Sequence, residues 1–73
     1  MKNQKPLSQK LYELRKEHNM QQAELAKLVG VRRETIGNLE NGRYNPSLKL
    51  AMDIAKVFDT TVEDIFTFEE DDE

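Results

Sequence analysis

The chain has 73 residues, of which 37% are hydrophobic and 34% are charged, so it can bury one thin core and is expected to form a single small domain. It has no cysteine, which excludes a disulfide framework and thiolate metal ligands, and no run resembles a secretory or membrane-spanning segment. We therefore expect a cytoplasmic protein with no membrane partner.

The net charge of -3 is unevenly distributed along the chain. Residues 1–43 hold nine Lys/Arg and five Asp/Glu, a balance of +4, whereas residues 44–73 hold two and nine, a balance of -7. A basic half can meet phosphate while an acidic half faces away from it, so overall acidity does not exclude a nucleic-acid partner.

The N-terminal part of the chain predicts an arm followed by a helix. Residues 1–6 are polar and lysine-bearing, which is typical of a mobile arm, and the domain is expected over 7–68. Ser8 is a candidate N-cap for the first helix, in which Leu7, Leu11 and Leu14 recur at helical spacing. This helix is expected to end near Asn19.

The next segment predicts two short helices joined by a tight turn. The second helix is expected to start at Asn19 or Gln21 and end at Gly30, and the third to run from about Arg33 to Asn41. Apolar residues that suit a shared core fall at Leu25, Val29, Val31, Ile36 and Leu39. A small residue, Ala26, permits close helix crossing, and Gly30 permits a positive φ. The pattern indicates a helix-turn-helix; an ordinary helical hairpin explains the leucines but not these two small residues.

A fourth and a fifth helix complete the pattern. Pro46 marks a boundary at which either Asn45 or Ser47 can cap. One apolar stripe of the fourth helix comprises Leu48, Leu50, Ala51, Ile54, Ala55, Val57 and Phe58. Thr61 followed by Asp64 resembles a capping box and predicts a short fifth helix with Val62, Ile65 and Phe66. The acidic run over 69–73 is expected to be a solvated, disordered tail.

With these motifs the chain resembles the phage-repressor-like helix-turn-helix family, also called the Xre or Cro/repressor type, over residues 11–66. The most specific segments are residues 22–39, Glu40-Asn41-Gly42, Tyr44-Asn45-Pro46-Ser47 and Glu63-Asp64-Ile65-Phe66. The resemblance implies an all-α fold, a compact five-helix lambda-repressor-like domain with the helix-turn-helix at helices 2 and 3. It also implies that the third helix enters the major groove of double-stranded DNA.

The resemblance assigns base reading to Arg33, Glu34 and Asn38, and helical spacing independently places them opposite the apolar face of the third helix. Arg33 is suited to guanine, Asn38 to adenine and Glu34 to cytosine. For Arg33 and Asn38 the alternative is a solvated helix face.

The resemblance also implies contacts to the DNA backbone and a structural ion pair. Family members place a phosphate contact at the position of Gln22, which also braces the recognition helix, and the remaining backbone candidates are Arg32, Thr35, Asn41 and Arg43. Arg15 and Glu40 match an ion pair that joins the first and third helices.

Three positions depart from the family pattern. Arg32 and Gln21 stand where Ser or Thr caps are usual, and for Arg32 this predicts either a looser helix start or an extra phosphate contact. Glu34 stands where glutamine is frequent, although a carboxylate is repelled by phosphate. Gly37 weakens the third helix by about 1 kcal/mol relative to alanine.

These observations predict a sequence-specific transcriptional regulator, a repressor that binds a pseudo-palindromic operator as a homodimer, of nucleoid-associated, prokaryotic or phage origin. The candidate dimer surface comprises Val62, Ile65, Phe66 and Phe68, with the alternative that Ile65 and Phe66 only close the monomer core. Two other functions stay open: an antitoxin of a toxin–antitoxin pair that also binds its own operator, and a protein-interaction module on the same fold.

No pattern of residues in the sequence indicates an active site or a site for a cofactor, a metal or a small molecule. His18 is the single histidine, and no set of nucleophile, base and orienting group can be assembled around it. We expect His18 to pack or cap near the end of the first helix.

Overall fold

The computed structural model describes the backbone of residues 7–68 and the side chains of residues 10–67. In chain order the elements are β1 (Leu7–Gln9), α1 (Leu11–Glu17), α2 (Gln22–Val29), α3 (Arg33–Glu40), α4 (Leu48–Val57), α5 (Val62–Ile65) and β2 (Phe66–Phe68). The predicted five-helix architecture is confirmed, with a two-stranded sheet added to it. The expected arm and acidic tail lie outside the described residues. None of the helices in the described range is long and apolar enough to cross a membrane.

The two strands correct the predicted start of the first helix. β1 pairs antiparallel with β2, so that Leu7 lies opposite Phe68 and Ser8 opposite Thr67. The helix begins at Leu11 with Lys10 as its N-cap, and Ser8 does not cap it. The backbone groups of residues 7–9 instead find their partners in β2, and the Lys10 N–H extends this pairing by donating to the Ile65 carbonyl at 3.0 Å.

Every helix contributes to one buried core. The side chains exposed by less than 2% are Leu11, Leu25, Ile36, Leu39, Ile54 and Ile65. Removing each of these from water is worth roughly 1.5–3 kcal/mol, which offsets much of the entropy lost on ordering the short helices. The core therefore fixes α3 by its Ile36 and Leu39 face and leaves the opposite face to solvent.

The first turn of α4 buries one of its two leucines and exposes the other. Ser47 is the cap, since its Oγ accepts a hydrogen bond from the Leu50 N–H at 3.1 Å. Leu50 is buried, whereas Leu48 is 74% exposed, so the predicted place of Leu48 on the core face is wrong. Leu48 lies on nearly the same side of the helix as buried Ala55, two turns later, so its exposure follows from its place as the first residue of α4 and not from the rotation of the helix.

The short helix α5 closes the core. Its N-cap Thr61 accepts a hydrogen bond from the Asp64 N–H at 3.2 Å, while the Asp64 carboxylate accepts from the Thr60 hydroxyl at 2.9 Å. Ile65 is 1% exposed and Phe66 is 8% exposed. These two residues therefore close the monomer core, and their assignment to a dimer surface is corrected; Val62 is half-buried, and the Phe68 side chain lies outside the described part.

Candidate nucleic-acid interface

The turn between α2 and α3 holds the two helices close together. Gly30 ends α2 in the left-handed region with φ 77°, and the Val31 N–H donates to the Ala26 carbonyl at 2.9 Å. Ala26 is 3% exposed and lies in the core, so the position takes a small side chain, as the sequence pattern predicts. Arg32 then adopts an extended N-cap conformation without a side-chain cap bond, and α3 begins at Arg33.

The start of α2 is stabilised without a Ser or Thr cap. The carboxylate of Glu24, the third residue of the helix, accepts a hydrogen bond from the Gln21 backbone N–H at 3.5 Å. This contact is long, but it places a negative charge in the first turn, where the helix dipole favours it.

A nearly buried ion pair joins the end of α3 to α1. The Arg15 Nε donates to Glu40 Oε2 at 2.6 Å and its NH2 group donates to Glu40 Oε1 at 3.1 Å. The two side chains are only 9% and 6% exposed. A third bond runs from Arg15 NH1 to the Met20 carbonyl at 2.8 Å, just before α2. The hydrogen bond to Glu40 raises the pKa of Arg15 above its ordinary value, so the guanidinium stays charged.

Gln22 connects this ion pair to the start of α3. Its Nε2 donates to Glu40 Oε1 at 3.0 Å, and its Oε1 accepts from Arg33 NH1 at 2.9 Å. Gln22 is half-buried and Arg33 is exposed. Gln22, a candidate DNA-backbone contact, is therefore hydrogen-bonded to Arg33, a candidate base-reading residue.

The outward face of α3 presents the three candidate base-reading residues together. Arg33, Glu34 and Asn38 are exposed, whereas Ile36 and Leu39 on the other face are buried. Arg33 and Glu34 open the helix, and Asn38 lies one turn after Glu34. This is the arrangement in which a helix can direct side chains at base edges in a major groove.

The candidate backbone contacts lie around this face. Arg32 precedes α3, and Asn41 and Arg43 follow it; all three are exposed, while Thr35 is half-buried. Gly42 takes φ 75°, and the Arg43 N–H donates to the Asn38 carbonyl at 3.0 Å, which fixes where the chain leaves the helix. Two arginines therefore flank the exposed face at its two ends.

A groove of about 560 Å³ lies beside the start of α3. One of its lining side chains is a lysine, Lys16, that the sequence pattern was not interpreted to place near the interface. Its lining residues are Arg15, Lys16, Asn19, Met20, Gln21, Gln22, Ala23 and Arg33. Lys16 is exposed and lies in the basic last turn of α1. In the sequence, Lys16 follows Arg15 and precedes the start of α2, and this position could have indicated that it lies near the interface.

Elsewhere, His18 has a packing role. Its Nδ1 lies 2.9 Å from the Leu14 carbonyl oxygen, and its ring meets Phe58 edge-on with the centroids 5.0 Å apart. Among the described residues, no group of three or more His, Cys, Asp or Glu side chains is placed to hold a metal ion.

Comparisons with known proteins agree with this geometry. Residues 11–65 match the helix-turn-helix family model. An HTH-type transcriptional regulator of Archaeoglobus fulgidus is 60% identical over 63 residues, which cover 86% of this chain and 89% of that protein. One from Methanocaldococcus jannaschii is 50% identical over 66 residues, covering 90% and 100%.

Solved structures show the same domain in different settings. The restriction-modification controller protein C.AhdI from Aeromonas hydrophila superposes with a TM-score of 0.69 and 33% identity, over 74% of this chain and 82% of that one. Hydroxypropylphosphonic acid epoxidase from S. wedmorenis gives a TM-score of 0.68 at 33% identity, but the match covers 74% of this chain and only 29% of that enzyme. The likeness to the enzyme is therefore partial.

The exposed α3 face, the α2–α3 turn and these matches define a DNA-binding domain. The chain belongs to the helix-turn-helix family, and it is a transcriptional regulator rather than an enzyme.

Proposed function

We propose that this protein is a repressor that reads its operator through α3 in the major groove and binds as a homodimer to a pseudo-palindromic site. The observation that carries the proposal is the exposed set Arg33, Glu34 and Asn38 on a helix whose opposite face is buried. Occupying an operator is sufficient to exclude other proteins from it, so repression needs no chemistry beyond tight and selective binding.

Each base-reading residue fits a different base. The Arg33 guanidinium can donate to guanine O6 and N7, and the Asn38 amide can pair with adenine N6 and N7. Glu34 accepts from cytosine N4, which also supplies the hydrogen-bond donor that a carboxylate requires close to phosphates. These assignments make the preferred half-site a short mixed sequence rather than an A·T-rich tract.

Contacts to the phosphates set the position of α3. Gln22 uses one Nε2 hydrogen on Glu40 and has a second for phosphate, and Thr35 offers a hydroxyl. Arg32, Asn41 and Arg43 add contacts at the two ends of the helix. These contacts carry affinity and salt dependence but little sequence information.

Two copies supply what one lacks, because a single domain makes few base contacts. The apolar side chains that support a contact between copies are Leu48 and Met52, which are 74% and 47% exposed on adjacent turns of α4, together with half-buried Val62. Beside them, Lys49 and Asp53 form an exposed ion pair at 2.6 Å. A patch with both charge signs can complement its own copy across a twofold axis.

Selection from random double-stranded DNA, followed by sequencing, tests the proposal. We expect one enriched motif made of two inverted half-sites whose centres lie about 10 base pairs, one helical turn, apart. Enrichment of a single half-site would contradict the homodimer, and the absence of any enriched motif at moderate salt would contradict sequence-specific binding.

A further inference from the structure

A directional chain of hydrogen bonds runs from the exposed start of α3 into the protein. Arg33 NH1 donates to Gln22 Oε1 at 2.9 Å, and Gln22 Nε2 donates to Glu40 Oε1 at 3.0 Å. Arg15 donates to the same carboxylate from the other side. Every donor in this chain points towards Glu40.

We propose that Glu40 is a positioning residue for base reading, because it fixes the orientation of the Gln22 amide and through it the direction of the Arg33 guanidinium. This inference rests on the proposed role of Arg33 in reading a base pair. It assigns to a nearly buried carboxylate an effect on sequence preference, in addition to its ion pair with Arg15.

The chemistry of the three groups makes the direction unique. A carboxylate only accepts hydrogen bonds, whereas an amide has a donor end and an acceptor end. With Glu40 in place, the amide of Gln22 must turn its NH₂ group inward, which leaves its oxygen facing Arg33. An arginine only donates, so this is the one amide orientation that satisfies both neighbours.

Burial keeps the inner end of the chain in place. The Arg15 and Glu40 side chains are 9% and 6% exposed, and Arg15 is also tied to the Met20 carbonyl. No buried side-chain nitrogen or oxygen in the described part of the chain lacks a hydrogen-bond partner. Rotation of Glu40 would break several of these bonds at once, so the carboxylate is a fixed reference for the Gln22 amide.

The outer end keeps enough donors for DNA. Arginine carries five N–H groups, and one of them binds Gln22, so four are available for the two acceptors of guanine. The amide of Gln22 lies beside Gly37, since a Cβ built there would be at ordinary contact distance, 3.8 Å, from both Gln22 Nε2 and Gln22 Oε1. The side chain of Gln22 therefore lies against α3 one turn after Arg33.

Glu40→Gln tests the inference because it keeps the shape and reverses part of the hydrogen bonding. If the new amide oxygen accepts from Arg15, its NH₂ group meets the NH₂ group of Gln22, which must then turn and present a donor to Arg33. Gln22→Met removes both ends of the amide without touching the ion pair. Glu13→Gln, the same chemical change at an exposed position of α1, is the matched control.

The readout is binding to the selected operator and to its single-base variants. We expect Glu40→Gln and Gln22→Met each to lower preference about tenfold at the base pair where Arg33→Ala also loses it, and to leave preference at the pair read by Asn38 unchanged. Adding either change to Arg33→Ala should lower that preference no further. An equal loss of base preference at every base pair, or an unchanged preference at all of them, would overturn the inference.

A measurement without DNA separates this inference from the proposed function. In NMR spectra of the DNA-free protein, the side-chain amide protons of Gln22 should shift in Glu40→Gln and stay in place in Glu13→Gln. The Arg33 side-chain signals should move with those of Gln22. If the Arg33 signals are the same in wild type and Glu40→Gln, then Glu40 does not position Arg33 through Gln22, even when an operator is found. Shifted signals in a protein that selects no operator would reject the proposed function alone.

Discussion

A single side-chain amide, that of Gln22, lies between a charge that the fold buries and a charge that α3 exposes. The buried pair of Arg15 and Glu40 gains little net stability, since desolvation offsets most of the attraction. Removing one partner is different, because the other is left charged in a site less than a tenth exposed, at a cost of roughly 3 kcal/mol. At this scale the pair acts mainly by fixing geometry.

Arg33 and Asn38 are expected to carry base preference. Replacing either with alanine should cost ~1–3 kcal/mol on the selected operator and relax preference at one base pair per half-site, because each loses a bidentate contact. Fluorescence titrations against all single-base operator variants measure this. Two variants that discriminate every base as wild type does would show that these side chains are only a solvated helix face.

Arg43 is expected to act on phosphate alone. It lies exposed just beyond α3, away from the base-reading set, so Arg43→Ala should weaken binding to all sequences alike. The slope of log K against log salt should flatten by roughly one unit, as one phosphate contact is lost. A loss concentrated on one base identity would place Arg43 among the base readers instead.

Two glycines of the helix-turn-helix should respond to alanine with opposite signs. Gly37 lies inside α3 with room for a Cβ at ordinary contact distance, so Gly37→Ala should raise the free energy of unfolding by about 0.5–1 kcal/mol. Gly30 has φ +77° with no atom within 4 Å of a built Cβ, so Gly30→Ala should lower it by about 1–2 kcal/mol for conformational reasons alone.

Urea unfolding of both variants and wild type measures the difference. Because the two changes add the same methyl group, the comparison separates backbone conformation from packing. Equal effects of the two substitutions would contradict the assignment of Gly30 to a left-handed helix end.

The elements differ in how far local sequence determined them. The α2–α3 pair was predictable because the two small residues that its turn and close packing require, Ala26 and Gly30, lie only four positions apart in the sequence. The β1–β2 pairing was not, since it joins three-residue strands that are nearly 60 residues apart and depends on the whole core bringing them together. The exposure of Leu48 was missed because helical periodicity places it on the core side of α4, and only the packing in three dimensions shows that the first residue of this helix is exposed.

The residues of the candidate site also differ in how far the sequence predicted their place. Helical spacing was sufficient to place Arg33, Glu34 and Asn38 on one exposed face. The contact between Gln22 and Glu40 joins residues 18 positions apart on different helices, and no periodicity encodes it. Side-chain networks of this kind become visible only when the helices are placed in three dimensions.

Across the whole molecule, the charge is divided unevenly along the chain. The first 43 residues, which include α1 to α3, carry a balance of +4, while the remaining 30 carry -7. A net charge of -3 is therefore compatible with DNA binding, because the two signs are divided between two parts of the chain and, at physiological salt, a phosphate interacts mainly with the charges nearest to it.

The outer face of α4 should be the contact between two copies. Leu48 is 74% exposed, so Leu48→Asp should leave the folded monomer nearly as stable as wild type, and a change in assembly then reports on the surface itself. In the dimer, however, the new carboxylate would be buried without a partner beside Met52. We expect the dimer dissociation constant to rise about tenfold or more, and operator binding to weaken because two half-sites are no longer bound as a unit.

Leu28→Asp is the matched control for this prediction, since Leu28 is 58% exposed but lies on α2. Sedimentation velocity over a range of concentrations, with urea unfolding of the same samples, distinguishes the possible results. The prediction requires Leu48→Asp to shift towards monomer while Leu28→Asp and wild type coincide. A Leu48→Asp protein that keeps the wild-type concentration dependence would exclude α4 from the interface and leave α5, through Val62, as the surface to test next.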